Sequence, residues 1–218
     1  MGGGVKFMIR KEKLQKIHDT LYEQMGECTC PLIHTGAFQL LIAVMLSAQC
    51  RDDRVNQVTE KLFALAPDAE SMAKLPQEKI SEIIRPCGLY QNKSSNILLT
   101  SQLLTEKYTG KVPENMAELT SLPGIGRKSA NVVLGNAFGI PGFPVDTHVK
   151  RVLFRLGVTA SKVPETIEQQ VCKDIAPELW TNFSHLLIQH GRRTCSAAKP
   201  QCGNCVLSGL CSKKGVKK

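Results

Sequence analysis

Between Ser121 and His148 the chain reads SLPGIGRKSANVVLGNAFGIPGFPVDTH, and its opening constrains the fold most tightly. Leu122-Pro123-Gly124-Ile125-Gly126 is a short turn between two helical patterns. Pro123 removes a backbone donor, and Gly124 and Gly126 relax the steric limits on the turn. Asn115 is placed to cap the incoming helix, with Glu118 as its capping-box partner and Leu119 and Leu122 as its buried face. The next helix starts near Arg127 and carries Val132, Val133 and Leu134 inward. Glycines at a helix N-terminus let a phosphate approach bare backbone N–H groups, where the helix dipole favours an anion. Arg127 and Lys128 stand beside that spot. A plain turn between helices uses the same residues, so turn chemistry alone leaves both readings open.

The rest of the chain reads as helices. Residues 1 to about 10 are expected to be a loose tail. Leu14, Ile17 and Leu21 repeat at helical spacing, which predicts an amphipathic helix from about Arg10 to Met25. The segment from Ala37 to Gln49 is apolar on most sides, as in a buried core helix. Asp52 or Asp53 is expected to cap the following helix, whose inner face is Val55, Val58 and Leu62. Further helices carry Ile80, Ile83 and Ile84, stopping at Gly88, and Ile97, Leu98, Leu103 and Leu104, stopping near Gly110. Gly-Ile-Pro-Gly-Phe-Pro from Gly139 breaks the pattern. Beyond it, Val149, Val152, Leu153 and Leu156 mark one helix. Pro164 opens another, with Ile167, Val171 and Ile175, and Trp180, Phe183, Leu186 and Leu187 mark a last one. No alternating Val/Ile/Thr strands and no Asn-Gly hairpins occur, so the class is all-α.

A chain of 218 residues can bury a good core in one or two domains. No run of 18 apolar residues is present, and the N-terminus lacks a signal core. Gly2 suggests myristoylation only weakly, since Lys6 stands where Ser or Thr is wanted. A cytoplasmic, nucleoid-associated protein with no membrane partner is expected. The net charge is +9, and no acidic residue follows Glu178. Arg192, Arg193, Lys199, Lys213, Lys214, Lys217 and Lys218 therefore give a one-sided basic region, which suits a polyanion through counterion release. Lys213 onward could equally be a solvated tail.

Nine cysteines without a secretory signal are expected to be reduced, metal-bound or buried. Cys195, Cys202, Cys205 and Cys211 are spaced C-x6-C-x2-C-x5-C, close enough to hold zinc or an iron–sulfur cluster. The Cys28-x-Cys30 pair has no partner motif and is expected to be incidental. Cys50, Cys87 and Cys172 look like small core residues.

Leu-Pro-Gly-Ile-Gly-Arg-Lys followed by Val-Asp-Thr-His resembles the helix-hairpin-helix DNA glycosylases, in particular the endonuclease III branch. The cysteine spacing is similar to that branch's [4Fe–4S] loop, with structural zinc as the fallback. The resemblance runs from about Phe38 to Cys211. It implies a two-domain all-α fold with a C-terminal iron–sulfur cluster loop at 195–211. A helical bundle at 30–140 would contain the hairpin, and 1–29 plus 141–218 would form the other domain. The hairpin and Asp146 would meet at the cleft between the domains.

The resemblance also implies roles. Gly124, Gly126 and Arg127 would grip a DNA phosphate. Lys128 would be the nucleophile and Asp146 its assisting carboxylate, although Asp146 also reads as a plain helix cap. Gln49 would fill the hole left by an extruded nucleotide and Leu89 would wedge the opposite strand. Read without the family, Gln49 is a helix-end polar residue and Leu89 a core contact after a glycine. His148 would touch the DNA backbone, and Lys199, between cysteine ligands, would belong to a basic loop against DNA. A free lysine has a pKa near 10.4, so only about one in two thousand is neutral at pH 7. A nucleophilic Lys128 is therefore expected to be desolvated or set near positive charge.

The implied activity is removal of damaged, oxidised pyrimidines followed by β-elimination at the abasic site. The substrate would be double-stranded DNA with a damaged base or abasic site, bound by a monomer. The adenine glycosylases of the superfamily share the Asp and the hairpin but lack the Lys. The alternatives are a glycosylase of the superfamily for another lesion or mismatch, and a non-catalytic Fe–S DNA-binding module. Binding alone requires neither Lys128 nor Asp146.

Overall fold

The structure, a computed structural model, describes the backbone of residues 3–216 and the side chains of residues 10–216. Gly2, Lys217, Lys218 and the side chain of Lys6 lie outside the described residues. The described chain is helical with no strand: α1 Gly3–Met25, α2 Ala37–Leu46, α3 Asp52–Leu65, α4 Ala69–Ala73, α5 Gln77–Ile84, α6 Tyr90–Tyr108, α7 Met116–Ser121, α8 Arg127–Ala137, α9 Thr147–Leu156, α10 Pro164–Cys172 and α11 Trp180–Arg193. None of these helices is long and apolar enough to cross a membrane.

The chain divides into two compact units, Cys30–Ile140 and Met1–Thr29 with Pro141–Lys218. The first is built around α2, whose residues from Leu40 to Leu46 are all buried. A helix apolar on every side must be surrounded, and α2 packs against α3, α6 and α8. Each neighbour presents one stripe: Val55, Val58 and Leu62 from α3, Ile97 and Leu104 from α6, and Ala130, Val133 and Leu134 from α8. Val132 is only partly buried at the edge of that core.

In the second unit, α9 packs on α11 and α11 on α1. Leu14, Ile17 and Leu21 of α1 are fully buried, as the spacing predicts, with Val149, Val152, Leu153 and Leu156 of α9 and Phe183, Leu186 and Leu187 of α11. Arg10 of α1 pairs with the buried Asp174.

Three local expectations are corrected. The loose tail is absent from the described backbone, because α1 runs from Gly3. Once a helix is nucleated, each added residue adds one hydrogen bond, which favours its extension. The helix at Ala37 ends at Leu46 instead of Gln49. The cap of α3 is Arg51, with Asp52 and Asp53 in the first turn, where carboxylates meet the positive end of the helix dipole.

Candidate active site and cysteine loop

Asn115 caps α7, its side-chain oxygen accepting the Glu118 amide at 2.9 Å. The Glu118 carboxylate answers the Asn115 side-chain amide. This differs from a capping box, in which it would bond the cap's backbone N–H. Leu119, Leu122 and Ile125 are buried and pin the turn to the core. The two glycines of the turn differ in kind. Gly124 has φ +77°, and a Cβ there would come within 2.7 Å of the Asn96 side-chain nitrogen. Gly126 has ordinary extended backbone, φ −97° and ψ 173°, and a Cβ there would meet nothing within 4 Å. Its lack of a side chain therefore leaves open space over the start of α8, which has no side-chain cap. An uncapped helix N-terminus beside open space is suited to an anion.

Arg127 and Lys128 are both exposed in the first turn of α8. The expected desolvation of Lys128 is not met, because Ala130, Val133 and Leu134 take the inner side of the helix. Lys128 lies near Cys30, whose thiol burial pushes up and which the lysine's charge pulls back.

Gln49 and Leu89 occupy two turns of the same unit, and both are exposed. The reading of Leu89 as a core contact is thus excluded: the residue is 58 % exposed. Both residues sit in the left-handed region, Gln49 at φ 53° and Leu89 at φ 48°. Thr109, which ends α6, and Lys213 share this conformation, and a non-glycine residue there is strained unless its surroundings hold it.

In the other unit Asp146 caps α9, its Oδ1 accepting the Val149 amide at 2.8 Å. His148 Nδ1 lies 3.1 Å from Arg151 Nη2. A guanidinium only donates, so Nδ1 accepts and the ring proton sits on Nε2. Burial pushes the His148 pKa down, against the pull of Asp146 and with Arg151 and Arg192. Arg151 also donates to Gly191 O at 2.8 Å and Cys195 O at 3.0 Å, joining α9, α11 and the cysteine loop. Gly191 is required there, since a Cβ would lie 2.9 Å from the Cβ of His148.

Cys195, Cys202, Cys205 and Cys211 all line one cavity with Val152, Leu156, His190 and Leu207. Among the described residues no three His, Cys, Asp or Glu side chains converge tightly enough for a single metal ion. Buried Arg155 holds the loop, donating to Ser196 O at 2.7 Å and Ala197 O at 2.9 Å and reaching Cys195 Sγ at 3.4 Å. The Lys213 amide reaches Cys211 Sγ at 3.4 Å. His190 Nε2 lies 3.7 Å from Cys205 Sγ, while its Nδ1 is buried without a partner. Burial, and then the other three cysteines, push the Cys205 thiol up. Lys199 is exposed on this loop. Cys28 and Cys30 fall in different units, Cys87 is buried, and Cys50 and Cys172 pack at core edges.

Residues 42–177 match the HhH-GPD superfamily of base excision DNA repair proteins. The chain is 44 % identical to endonuclease III of Synechocystis sp. over 207 residues, covering 94 % of each chain. It is 42 % identical to that of Escherichia coli K12, covering 94 % of this chain and 98 % of the relative. A solved non-covalent endonuclease III–DNA complex superposes with a TM-score of 0.89 at 41 % identity, covering 93 % of this chain and 95 % of that one. A trapped endonuclease III–DNA covalent intermediate gives the same score and identity over 93 % and 96 % of the two chains.

Proposed function

The chain belongs to the HhH-GPD superfamily of base excision DNA repair proteins and, within it, to the endonuclease III enzymes, and on that premise we propose that Lys128 and Asp146 are its catalytic pair. It is a DNA glycosylase and abasic-site lyase. The observation that carries the assignment is the exposed Lys128 in the first turn of α8, directly after an uncapped hairpin with open space over Gly126.

In this reading a DNA phosphate rests on the hairpin at Gly124, Gly126 and Arg127. Lys128 is exposed in the free protein, so bound DNA supplies the desolvation that favours the neutral amine. Neutral Lys128 attacks C1′ of a damaged pyrimidine nucleotide. The C1′–Nζ bond forms as the glycosidic bond breaks, and the base leaves with the electron pair and takes up a proton. Loss of the amine proton and opening of the sugar give the imine. That imine acidifies the C2′ hydrogen, whose removal expels the 3′ phosphate by breaking the C3′–O bond. Asp146 stabilises positive charge on the sugar or accepts a proton. Gln49 fills the vacated place in the stack, Leu89 wedges the opposite strand, and the Nε2–H of His148 and the ammonium of Lys199 meet backbone phosphates.

Cys195, Cys202, Cys205 and Cys211 would hold a [4Fe–4S] cluster, whose contribution is a structural cross-link that fixes a basic loop. Four thiols around one cavity, with N–H donors on two of the sulfurs, suit a cluster better than one zinc ion, which draws its ligands together. We assign 30–140 as the hairpin domain and 1–29 with 141–218 as the domain carrying this loop. Site of action at the nucleoid and action as a monomer belong to the same proposal.

Cleavage of duplexes with an abasic site, and with defined oxidised pyrimidines opposite each base, tests the reading. Excision of the pyrimidines with nicking is expected. Binding without nicking would make the chain a non-catalytic module, and excision confined to another lesion or a mismatch would move it within the superfamily.

A further inference from the structure

Lys93 is a buried charge that the catalytic account leaves unused. It lies on α6, 6 % exposed, and its ammonium donates to three backbone carbonyls: Leu46 at 2.9 Å, Ala48 at 2.8 Å and Cys87 at 3.0 Å. An ammonium has three protons, so every donor is used. Leu46 is the last residue of α2, where the helix dipole favours a cation. Ala48 is the residue before Gln49, and Cys87 lies two residues before Leu89. One ammonium thus ties together two of the three turns that carry exposed left-handed residues in this unit, those of Gln49 and Leu89, the third being at Thr109.

The strain in those turns needs such a tie. A non-glycine residue at positive φ persists only where its surroundings over-determine it. Gln49 and Leu89 are exposed, so their own side chains cannot supply that constraint. The carbonyls beside them do so through Lys93. Asn96 and Thr100 follow Lys93 at helical spacing and lie on the same side of α6. The Thr100 hydroxyl donates to Pro123 O at 3.1 Å, and Asn96 lies against Gly124. One face of α6 therefore supports both the two wedge turns and the hairpin turn.

We propose that Lys93 is the positioning residue of base extrusion: its ammonium locks the Gln49 and Leu89 turns in one register with each other and with the hairpin. This rests on the reading of Gln49 and Leu89 as the residues that enter the stack. Lys93 itself touches no DNA. Its loss would tax the step in which a paired nucleotide is forced out, and spare the chemistry on a nucleotide that is already unpaired.

Lys93→Met keeps the length of the side chain and removes the ammonium. The cluster-loaded full-length variant is compared with wild type on one oxidised pyrimidine placed either in a full duplex or in a bulge without an opposing base. Excision from the duplex should fall roughly 10- to 100-fold, the scale of a small misplacement of working groups. Excision from the bulge should stay within about threefold, and Leu89→Gly added to Lys93→Met should cause little further loss on the duplex, because coupled sites do not add. An equal loss on both substrates would make Lys93 a stability residue only, and no loss on either would remove its role. Order parameters of the wild-type amides give a test independent of any variant. Residues 47–50 and 86–89 should be as rigid as α6, with values of about 0.85, and values below about 0.6 would contradict the clamp. A wild-type protein inactive on both substrates would instead overturn the proposed function and leave the rigidity test standing.

Discussion

The carboxylate of Asp146 accepts the Val149 amide at 2.8 Å and so closes the first turn of α9. One oxygen serves as a helix cap, and the second has no bond within the cap. Capping and catalysis can therefore be separated by a substitution that keeps one and removes the other. Asn caps nearly as well as Asp, so Asp146→Asn should cost well under about 1 kcal/mol of stability. A catalytic carboxylate works through its charge, and base excision should fall by about a hundredfold or more. A melting curve and a single-turnover excision assay on the same sample check this. Early melting with wild-type excision would leave Asp146 as a cap alone.

The hairpin glycines give opposite expectations. Gly124→Ala places a side chain at φ +77° and against Asn96, and should cost about 1–2 kcal/mol. Gly126→Ala meets open space at an ordinary φ, so stability should move by less than about 0.5 kcal/mol. If a phosphate occupies that space, affinity for an abasic duplex should nevertheless drop by about tenfold, the value of one hydrogen bond to a charged group. Thermal melts and binding isotherms at fixed salt distinguish the two, and unchanged affinity in Gly126→Ala would empty the proposed phosphate site.

Much of this arrangement is legible from local pattern. The run from Ala37 is apolar on most sides and becomes the surrounded helix α2, and the cysteine spacing brings four thiols to one cavity because they are close along the chain. What local pattern misses is long-range polar pairing. Lys93 sits in a helix of mixed polarity, and nothing local marks it as buried, yet its three carbonyl partners lie up to 47 residues away. Arg155 falls between Val152 and Leu156 on the buried arc of α9, a placement that hints at an internal partner, but the carbonyls at 195–197 that satisfy it cannot be named from spacing. The exposure of Lys128 has a related cause: Ala130, Val133 and Leu134 take the inner face of α8, so in the proposed reading bound DNA supplies the desolvation.

The cysteine loop predicts a brown protein containing iron and sulfide. Cys195→Ser should lower iron content, loosen the loop and weaken DNA affinity together, and Arg155→Met should speed iron loss to a chelator. One zinc per chain and no iron after anaerobic purification would overturn the cluster assignment.

Acid sensitivity follows from His185, which is 7 % exposed and whose pKa burial holds below 6.5. In the window beneath pH 6.5 the unfolded chain binds the proton more readily than the folded one, so stability falls as the pH falls. Below the depressed folded value both states are protonated and the slope ends. Melting temperature should therefore drop between pH 7 and pH 5.5, and His185→Gln should flatten that drop. An identical slope in the variant would remove His185 as its source.

Covalent trapping bears on the central claim most directly. Borohydride added while the protein processes an abasic duplex reduces an imine to a stable amine, so a protein–DNA adduct should accumulate with wild type, and peptide mapping should place it on Lys128. Lys128→Ala should fold with an unchanged helical spectrum, bind abasic DNA within about tenfold of wild type, having lost one phosphate-side charge, and form no adduct. An undiminished adduct in Lys128→Ala, or an adduct mapped to another residue of the wild type, would contradict the assignment of Lys128 as the nucleophile.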